Sequence, residues 1–277
     1  MKTKTKKWLA LATACTALAV TAVAAMDHRL TLKKYTVRTH KVTQPIRLAL
    51  VTDLHSCDYG PGQRELLDMV EDQEPDAVLL GGDIVDDDPA MPEENAWTAV
   101  QALAKRYPTF YVTGNHEFWT HRVEAIKTRM ARFGVTVLAG ECETVLFQGQ
   151  PVDLCGVDDP AVGADAWAAQ LEQTAGAAAE DYFTILLTHR PERVEAYQAH
   201  PFDLILAGHA HGGQWRLPGL INGLLAPNQG LFPSYAGGSY DLGGTALIVS
   251  RGLARESTQI PRLFNPPELV IVDVIPE

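Results

Sequence analysis

From residue 46 onward, apolar runs that predict buried strands alternate with amphipathic runs that predict helices, and this alternation restricts the fold most. Ile46–Thr52 predicts a strand, Gln63–Gln73 a helix and Ala77–Leu80 the next strand. Such strand–helix–strand units fold with right-handed crossovers, which place successive strands side by side in a parallel sheet. We therefore expect an α/β protein.

The remaining pattern predicts a second sheet. Val135–Leu138, Thr144–Phe147 and Val152–Val157 are short runs separated by glycine-containing turns, which indicates an antiparallel section. The other predicted elements are helices over 93–105, 122–133 and 164–178 and after Pro191, and strands over 109–113, 183–188, 204–207, 245–249 and 268–274. Two sheets packed face to face, with helices outside, accommodate this many strands in one domain.

The N-terminus has the pattern of an export signal or membrane anchor. Four lysines among the first seven residues precede an uncharged, moderately apolar run over residues 8–26. A helix of this length spans roughly 28 Å, close to the ~30 Å hydrocarbon core of a bilayer. We expect an uncleaved anchor or a signal cleaved near Ala25; a buried N-terminal helix is the third possibility.

Charge is unevenly distributed and argues against one class of partner. The formal net charge is −11, but residues 1–41 carry nine Lys or Arg and one Asp, so the rest of the chain is far more acidic than this total. An acidic body is a poor match for long nucleic acid, which requires basic surface. It suits cation binding, because clustered carboxylates need positive charge beside them.

Cysteine spacing gives no framework. Cys15 lies in the N-terminal apolar run, and the remaining three have no CxxC spacing, so the pattern indicates neither a disulfide framework nor a zinc ribbon. Cys57 is expected to be a packed thiol, with oxidation beside the predicted site as the alternative.

Five clusters of metal-capable side chains each come directly after a predicted strand. They are Asp53-Leu54-His55, Gly82-Asp83, Gly114-Asn115-His116-Glu117, Thr188-His189 and Gly208-His209-Ala210-His211-Gly212-Gly213. In open α/β sheets, ligands bind at the carboxyl ends of the strands, so these clusters should converge. Each alone has a structural alternative, such as a turn cap for Asp53 or a hydrogen-bonded strand end for His189. It is improbable that all five clusters follow a strand by coincidence, so we interpret them together as one site.

The donor types indicate which ion would bind. Carboxylate, imidazole and amide oxygen without thiolate favour Mn, Fe or Zn. A carboxylate such as Asp83 can bridge two cations, and two cations together can bind a phosphoryl group and lower the pKa of a water between them. The sequence therefore predicts a pair of divalent metal ions acting on a phosphoester.

The five motifs, in this order, resemble the binuclear metallophosphoesterase (calcineurin-like) superfamily over residues 46–276. The similarity is greatest to a bacterial membrane-associated branch with an N-terminal apolar segment, on four stretches: residues 52–55, 209–214, 249–252 and 267–268. This resemblance implies a four-layer αββα sandwich of two mixed β-sheets. The expected organisation is a signal or anchor segment (1–26), a tether and edge strand (27–45) and the metallophosphoesterase domain (46–277).

The resemblance also implies a ligand set. One metal would be held by Asp53, His55, Asp83 and His211. The second would be held by Asp83, Asn115, His189 and His209. His116 would be catalytic rather than a ligand, acting at the leaving oxygen, and Asp86 and Glu117 would orient ligands or, alternatively, be surface charges.

The predicted activity is hydrolysis of a phosphodiester by a hydroxide activated between two metals, and the candidate substrates are a lipid-linked diester and a nucleotide sugar. The alternatives are a nucleotide pyrophosphatase or phosphomonoesterase with the same centre, or a catalytically silent metal-binding scaffold. The domain is expected outside the cytoplasm, anchored in the cell membrane or secreted after cleavage. The sequence does not predict the oligomeric state.

A long loop follows the last motif. Between His211 and Thr245 the sequence is rich in Gly and Pro, lacks periodicity and contains many large apolar residues, and loops of this length are usually functional. These apolar residues are Trp215, Leu217, Leu220, Ile221, Leu224, Leu225, Leu231 and Phe232. They are expected either to close the end of the sandwich or to face a membrane.

Overall fold

The computed structural model describes residues 13, 16, 21–255 and 260–277. The predicted signal or anchor segment therefore lies largely outside the described residues, although residues 21–25 are helical. Within the part of the chain that the structure describes, no helix combines the length and the apolar character needed to cross a bilayer.

Strands make up most of the regular structure from residue 31 onward. In chain order they are β1 (Thr31–Thr39), β2 (Ile46–Val51), β3 (Ala77–Gly81), β4 (Thr109–Val112), β5 (Thr136–Val137), β6 (Cys142–Phe147), β7 (Gln150–Gly156), β8 (Phe183–Leu187), β9 (Leu204–Ala207), β10 (Leu225–Ala226), β11 (Gly230–Leu231), β12 (Gly238–Asp241), β13 (Ala246–Val249) and β14 (Glu268–Pro276).

The helices that follow β2 connect these strands. They are α1 (Arg64–Glu71), α2 (Glu93–Arg106), α3 (Asn115–Trp119), α4 (Val123–Arg132), α5 (Ala164–Ala177) and α6 (Val194–Tyr197). Short 3₁₀ turns lie at Pro61–Gln63, Pro160–Val162, Pro191–Arg193 and His211–Gly213.

The strands form two mixed six-stranded sheets. The first has the order β1-β14-β2-β3-β4-β5 and the second β12-β13-β9-β8-β7-β6. In the first sheet β2, β3, β4 and β5 run parallel, and β14 is antiparallel to β2. In the second, β7, β8, β9 and β13 run parallel, with the antiparallel strands β6 and β12 at the edges. The central strands of both sheets are thus parallel, as the strand–helix–strand pattern predicted.

Alternation along each strand assigns its two faces to different layers. In β2, Leu48 and Leu50 pack between the sheets, whereas Ala49 and Val51 pack against the helices outside the first sheet. Helices α1, α2 and α4 cover that outer face, and α5 and α6 cover the outer face of the second sheet. Successive strand side chains point to opposite faces, so strands buried on both faces read as continuous apolar runs. The expected αββα sandwich of two mixed sheets is confirmed.

The prediction of an antiparallel section was partly wrong. The β6–β7 hairpin is antiparallel as expected, but β5 joins the edge of the first sheet parallel to β4. The intervening α4 returns the chain across the sheet, so that β4 and β5 run in the same direction. Within the described residues, β1 lies at the edge of the first sheet and pairs with β14.

A disulfide that the cysteine spacing did not predict joins the two strands of the hairpin. Cys142 and Cys155 are directly paired residues of β6 and β7 and are bonded to each other. Cys155 is fully buried. The pairing depends on hairpin register, which a count of cysteines and spacings does not reveal.

Replacing Cys142 with serine should lower the free energy of unfolding by about 3 kcal/mol, because the disulfide restricts the unfolded chain. The measurement is urea unfolding of the oxidised wild type and the Cys142→Ser variant, with reduced wild type as the control. Alkylation of the unreduced, unfolded chain should label Cys57 but neither Cys142 nor Cys155. Coincident unfolding curves for all three samples would contradict the prediction.

Candidate metal centre

The five predicted clusters meet where the carboxyl ends of parallel strands from both sheets come together. Asp53 and His55 follow β2, and Asp83 follows β3; His189 follows β8 in the other sheet. Contacts across the two sheets are direct: the backbone N–H of His209, after β9, donates to Asp53 Oδ1 at 2.9 Å. The sandwich therefore brings residues far apart in sequence to one edge.

Two groups of potential metal ligands share this edge. In the first, Asp53, His55 and His211 each offer a donor atom within 4.8 Å of the others. In the second, Asp83, His189 and His209 do the same. All of these side chains are buried.

Asp83 lies between the two groups. Its Oδ2 is 3.0 Å from His189 Nε2 in the second group and 3.6 Å from His55 Nε2 in the first. A carboxylate in contact with both groups is positioned to serve two cations, one on each side.

Most of these residues have left-handed backbone conformations that non-glycine residues rarely adopt. The φ angles of Asp53, His55, Asp83, His209 and His211 are between 47° and 65°. Such conformations cost about 1–3 kcal/mol each and persist only where the surroundings enforce them, which is common at functional sites. Here the sharp turn after each strand directs the side chain back toward the common edge.

Glycines allow the loops to approach this closely. A Cβ on Gly114 would overlap Asp83 Oδ1 and the Asp83 backbone, and one on Gly252 would lie 2.6 Å from Asp53 Cβ. Gly252 lies in one of the stretches that the sequence analysis noted without a role. Its neighbour Arg251 forms a salt bridge with buried Glu268, which holds this loop against Asp53.

Charge in the centre favours several of the protonation states that a cation needs. His189, and to a lesser extent His116 and His55, outweigh burial and hold the pKa of Asp83 well below its usual range. Burial lowers the pKa values of His209 and His211, reinforced by the neighbouring His189 and His55 respectively. Metal ligands must be deprotonated, so an ionised Asp83 and two neutral imidazoles are suited to bind a cation.

Two other groups in the centre, Asp53 and His189, favour the protonated form instead. Burial raises the pKa of Asp53. Burial opposes the charged form of His189, but Asp83 outweighs it and raises the pKa of His189 to about 10. A cation would take the place of the His189 proton and favour ionised Asp53.

Several buried nitrogen and oxygen atoms of side chains in the centre lack a hydrogen-bond partner within the described residues. They are His55 Nε2, Asp83 Oδ2 and Asn115 Oδ1. A buried polar atom without a partner costs about 1–3 kcal/mol, so such atoms call for an explanation. An imidazole nitrogen, a carboxylate oxygen and an amide oxygen are suitable ligands for a divalent metal, and the residues therefore fit such ions.

Hydrogen bonds at Nδ1 fix the orientation of two imidazoles of the centre. His55 Nδ1 bonds to Asp86 Oδ2 at 2.7 Å, and His189 Nδ1 bonds to the Gly81 carbonyl at 2.8 Å. In both rings Nε2 is left to face Asp83. Metal-binding histidines are usually oriented in this way, so Asp86 is an orienting residue rather than a surface charge.

Glu117 ties two of the loops together. Its buried carboxylate accepts from the backbone N–H groups of Asp83, Ile84 and Val85 after β3, and from Gly114 after β4, at 2.7–3.1 Å. The alternative that Glu117 is a surface charge is thus excluded. It fixes the loop that carries Asp83.

A network around His209 was missed by the sequence analysis. Asn228 Oδ1 lies 2.8 Å from His209 Nε2, and Arg190 Nη1 lies 3.0 Å from the same nitrogen. Arg190 is held by a bidentate salt bridge to buried Asp159. Its position directly after His189 was a signal for Arg190, whereas nothing in the sequence pointed to Asn228 or Asp159.

His116 lies at the boundary between the buried centre and solvent. Its Nε2 is 4.0 Å from Asp83 Oδ2, and its Nδ1 is 2.6 Å from Asp87 Oδ1. Burial opposes the charged form, but Asp86, Asp83 and Asp87 outweigh it and raise the pKa of His116 to about 9. His116 also belongs to two of the residue groups that could hold a metal, so distances alone permit both a catalytic and a ligand role.

Replacing Glu117 with alanine should lower the free energy of unfolding of the metal-free chain by at least about 3 kcal/mol, because four buried N–H groups lose their acceptor. The free energy of unfolding of Glu117→Gln should lie between those of wild type and Glu117→Ala, because the glutamine side chain keeps one acceptor oxygen. The measurement is urea unfolding, with exposed Glu124→Ala on α4 as the matched control. Equal midpoints for Glu117→Ala and Glu124→Ala would refute the role assigned to Glu117.

Comparisons with known proteins agree with this geometry. An uncharacterised metallophosphoesterase of Helicobacter pylori is 31% identical over 66% of this chain and 49% of its own length. Phosphodiesterase YaeI of Escherichia coli is 28% identical over 83% of each protein. The chain thus spans about half the length of the first relative but most of the second.

A solved structure shares the fold. A dimetal phosphatase from Danio rerio matches with a TM-score of 0.50 and 14% identity, over 76% of this chain and 88% of that protein. The model of the calcineurin-like phosphoesterase family matches residues 46–213, which contain all seven predicted ligands and His116. The chain therefore belongs to the calcineurin-like phosphoesterase family, and its clustered residues fit that family's centre for two divalent metal ions.

Proposed function

We propose that this chain hydrolyses a phosphodiester at a pair of divalent cations. The observation that carries the proposal is the position of Asp83 between two buried groups of ligands. One group comes from β2 and the loop after β9, the other mainly from the second sheet. A single-metal site would need only one of them.

The proposed ligand set follows these two groups. The first cation is assigned to Asp53, His55, Asp83 and His211. The second cation is assigned to Asp83, Asn115, His189 and His209. Because the donors are carboxylate, imidazole and amide oxygen, we propose Mn, Fe or Zn.

The cations supply charge neutralisation for the phosphoryl group and activation of water at neutral pH. The residues of the chain supply position and a proton. Asp86 and the Gly81 carbonyl hold the imidazoles of His55 and His189 with Nε2 inward, and Glu117 holds the loop of Asp83. These contacts preorganise the centre before substrate binds.

His116 is proposed as the proton donor to the departing oxygen. It is only partly buried, so a substrate can reach it, and the carboxylates around it favour its protonated form at neutral pH. Asp87 Oδ1 lies 2.6 Å from Nδ1, and we assign Nε2, which lies 4.0 Å from Asp83 Oδ2, as the donating atom.

The preference for a diester is supported by the name of the relative from Escherichia coli, a phosphodiesterase. We propose a lipid-linked diester first and a nucleotide sugar second. A phosphomonoesterase, a nucleotide pyrophosphatase and a silent scaffold are the alternatives that an activity panel separates.

We further propose that the domain lies outside the cytoplasm, on the membrane or secreted. The lysine-rich apolar N-terminus supports export, with the lysines on the cytoplasmic side. The disulfide between Cys142 and Cys155 supports the same location, because disulfides persist in oxidising compartments.

Replacing His116 with alanine should lower kcat on bis-p-nitrophenyl phosphate by about a hundredfold or more, since general acids contribute about 10²–10⁴-fold. Metal content, measured by elemental analysis of the purified protein, should stay at the wild-type level. Exposed His40→Ala is the matched control. Parallel loss of metal and of turnover would show that His116 is a ligand instead.

Replacing Asp83 with alanine should weaken metal binding at least about tenfold, because even residues that only orient a ligand contribute about 10–100-fold. The measurement is metal per chain after dialysis against a weak chelator. Exposed Asp165→Ala serves as control.

Wild-type activity should disappear with a strong chelator and return with Mn²⁺ or Zn²⁺. Activity that survives complete metal removal would refute the proposed function.

A further inference from the structure

An apolar surface is exposed beside the metal centre. Within residues 215–232 six large apolar side chains are exposed, and we call them the apolar rim. They are Trp215 (42%), Leu217 (43%), Leu220 (81%), Leu225 (38%), Leu231 (66%) and Phe232 (66%). Of the two readings of this loop, closure of the sandwich end is wrong for these six, because closure would have buried them. Single exposed apolar residues are ordinary, but a cluster marks an interaction surface.

The rim is tied to the metal centre through a short hairpin. Strands β10 and β11 pair Leu225 with Leu231, both exposed, and the turn between them carries Asn228. Asn228 Oδ1 lies 2.8 Å from His209 Nε2. Three residues of extended chain span about 10 Å, so Leu225 and Leu231 lie within about that distance of Asn228, which contacts the candidate ligand His209.

The N-terminal part of the chain arrives beside the same rim. The Phe264 N–H donates to the Ala25 carbonyl at 2.7 Å, and the adjacent Leu263 forms a β-bridge with Trp215. Trp215 Nε1 also donates to the Pro261 carbonyl at 2.9 Å. The C-terminal end of the apolar run, at Ala25, therefore lies next to the rim.

The segment of the chain that carries the rim differs in charge from the rest of the protein. Residues 204–240 contain no Asp or Glu and one Arg, in a chain whose net charge is −11. An anionic surface would repel the acidic body but not this segment.

We propose that the apolar rim docks on a lipid bilayer, with its side chains at the boundary of the acyl chains and the metal centre facing the headgroups. This proposal rests on the proposed function and specifies its substrate as a phosphodiester carried by a membrane lipid. The polar layer on each side of a bilayer is about 5–8 Å thick, comparable to the span of the β10–β11 hairpin between Asn228 and the exposed Leu225 and Leu231. A second copy of the chain is the competing occupant.

A fluorescent label tests docking without reference to activity. In the full chain carrying Cys15→Ser, an environment-sensitive thiol label is placed by Phe232→Cys or, as matched control, by Leu146→Cys, since Leu146 is equally exposed (69%) on the β6–β7 hairpin. On phosphatidylcholine–phosphatidylglycerol vesicles, emission at 232 should shift to the blue and be quenched by spin-labelled lipid. Emission at 146 should do neither.

Two results would overturn the docking proposal. One is a label at position 232 whose emission neither shifts to the blue nor is quenched although the chain is bound to vesicles. The other is a blue shift without vesicles that grows with protein concentration, which would assign the rim to a second copy.

A pair of matched esters tests the lipid substrate. Hexadecyl p-nitrophenyl phosphate in vesicles is compared with methyl p-nitrophenyl phosphate in solution, and the quantity is the ratio of the two kcat/KM values. Leu231→Ser/Phe232→Ser should lower this ratio by about tenfold or more, because apolar contacts with the bilayer are lost. Leu146→Ser should keep the wild-type ratio. An unchanged ratio in the double variant would refute the rim's role, whereas failure of wild type to hydrolyse either ester would refute the proposed function alone.

Discussion

The structure depends on the contact between the carboxyl ends of parallel strands in two different sheets. Asp83 from the first sheet faces His189 from the second at 3.0 Å, and Asp53 accepts the backbone N–H of His209. The parallel direction of the central strands places all the strand-end loops at one edge. Packing of the two sheets against a shared apolar core then brings the two sets of loops into contact.

This contact carries costs that the rest of the fold offsets. Five candidate ligands adopt left-handed backbone conformations, and several buried side-chain atoms of the centre have no hydrogen-bond partner among the described residues. Such features destabilise a protein unless the surroundings hold them. Here Glu117 and the pair of Arg251 with Glu268 hold the loops, and the αββα core supplies the stability.

One peripheral element connects the centre to the surface. The β10–β11 hairpin brings Asn228 to His209 on its inner side and exposes Leu225 and Leu231 on its outer side. An element that touches both a candidate ligand and an exposed apolar surface can restrict which substrates reach the centre. The fold itself is shared by enzymes of different specificity, so specificity has to reside in such peripheral segments.

The sequence by itself determined the fold class, the central strands and the candidate metal ligands. Period-two and continuous apolar patterns are local, and Asp or His directly after a strand is visible without a structure. The tertiary structure alone decided the parallel pairing of β5, the formation of β10–β12, the disulfide and the support of His209 by Arg190 and Asn228. It also decided that the long loop exposes its apolar side chains. The physical reason is that these features arise from pairing and packing between segments distant in sequence, which no local pattern encodes.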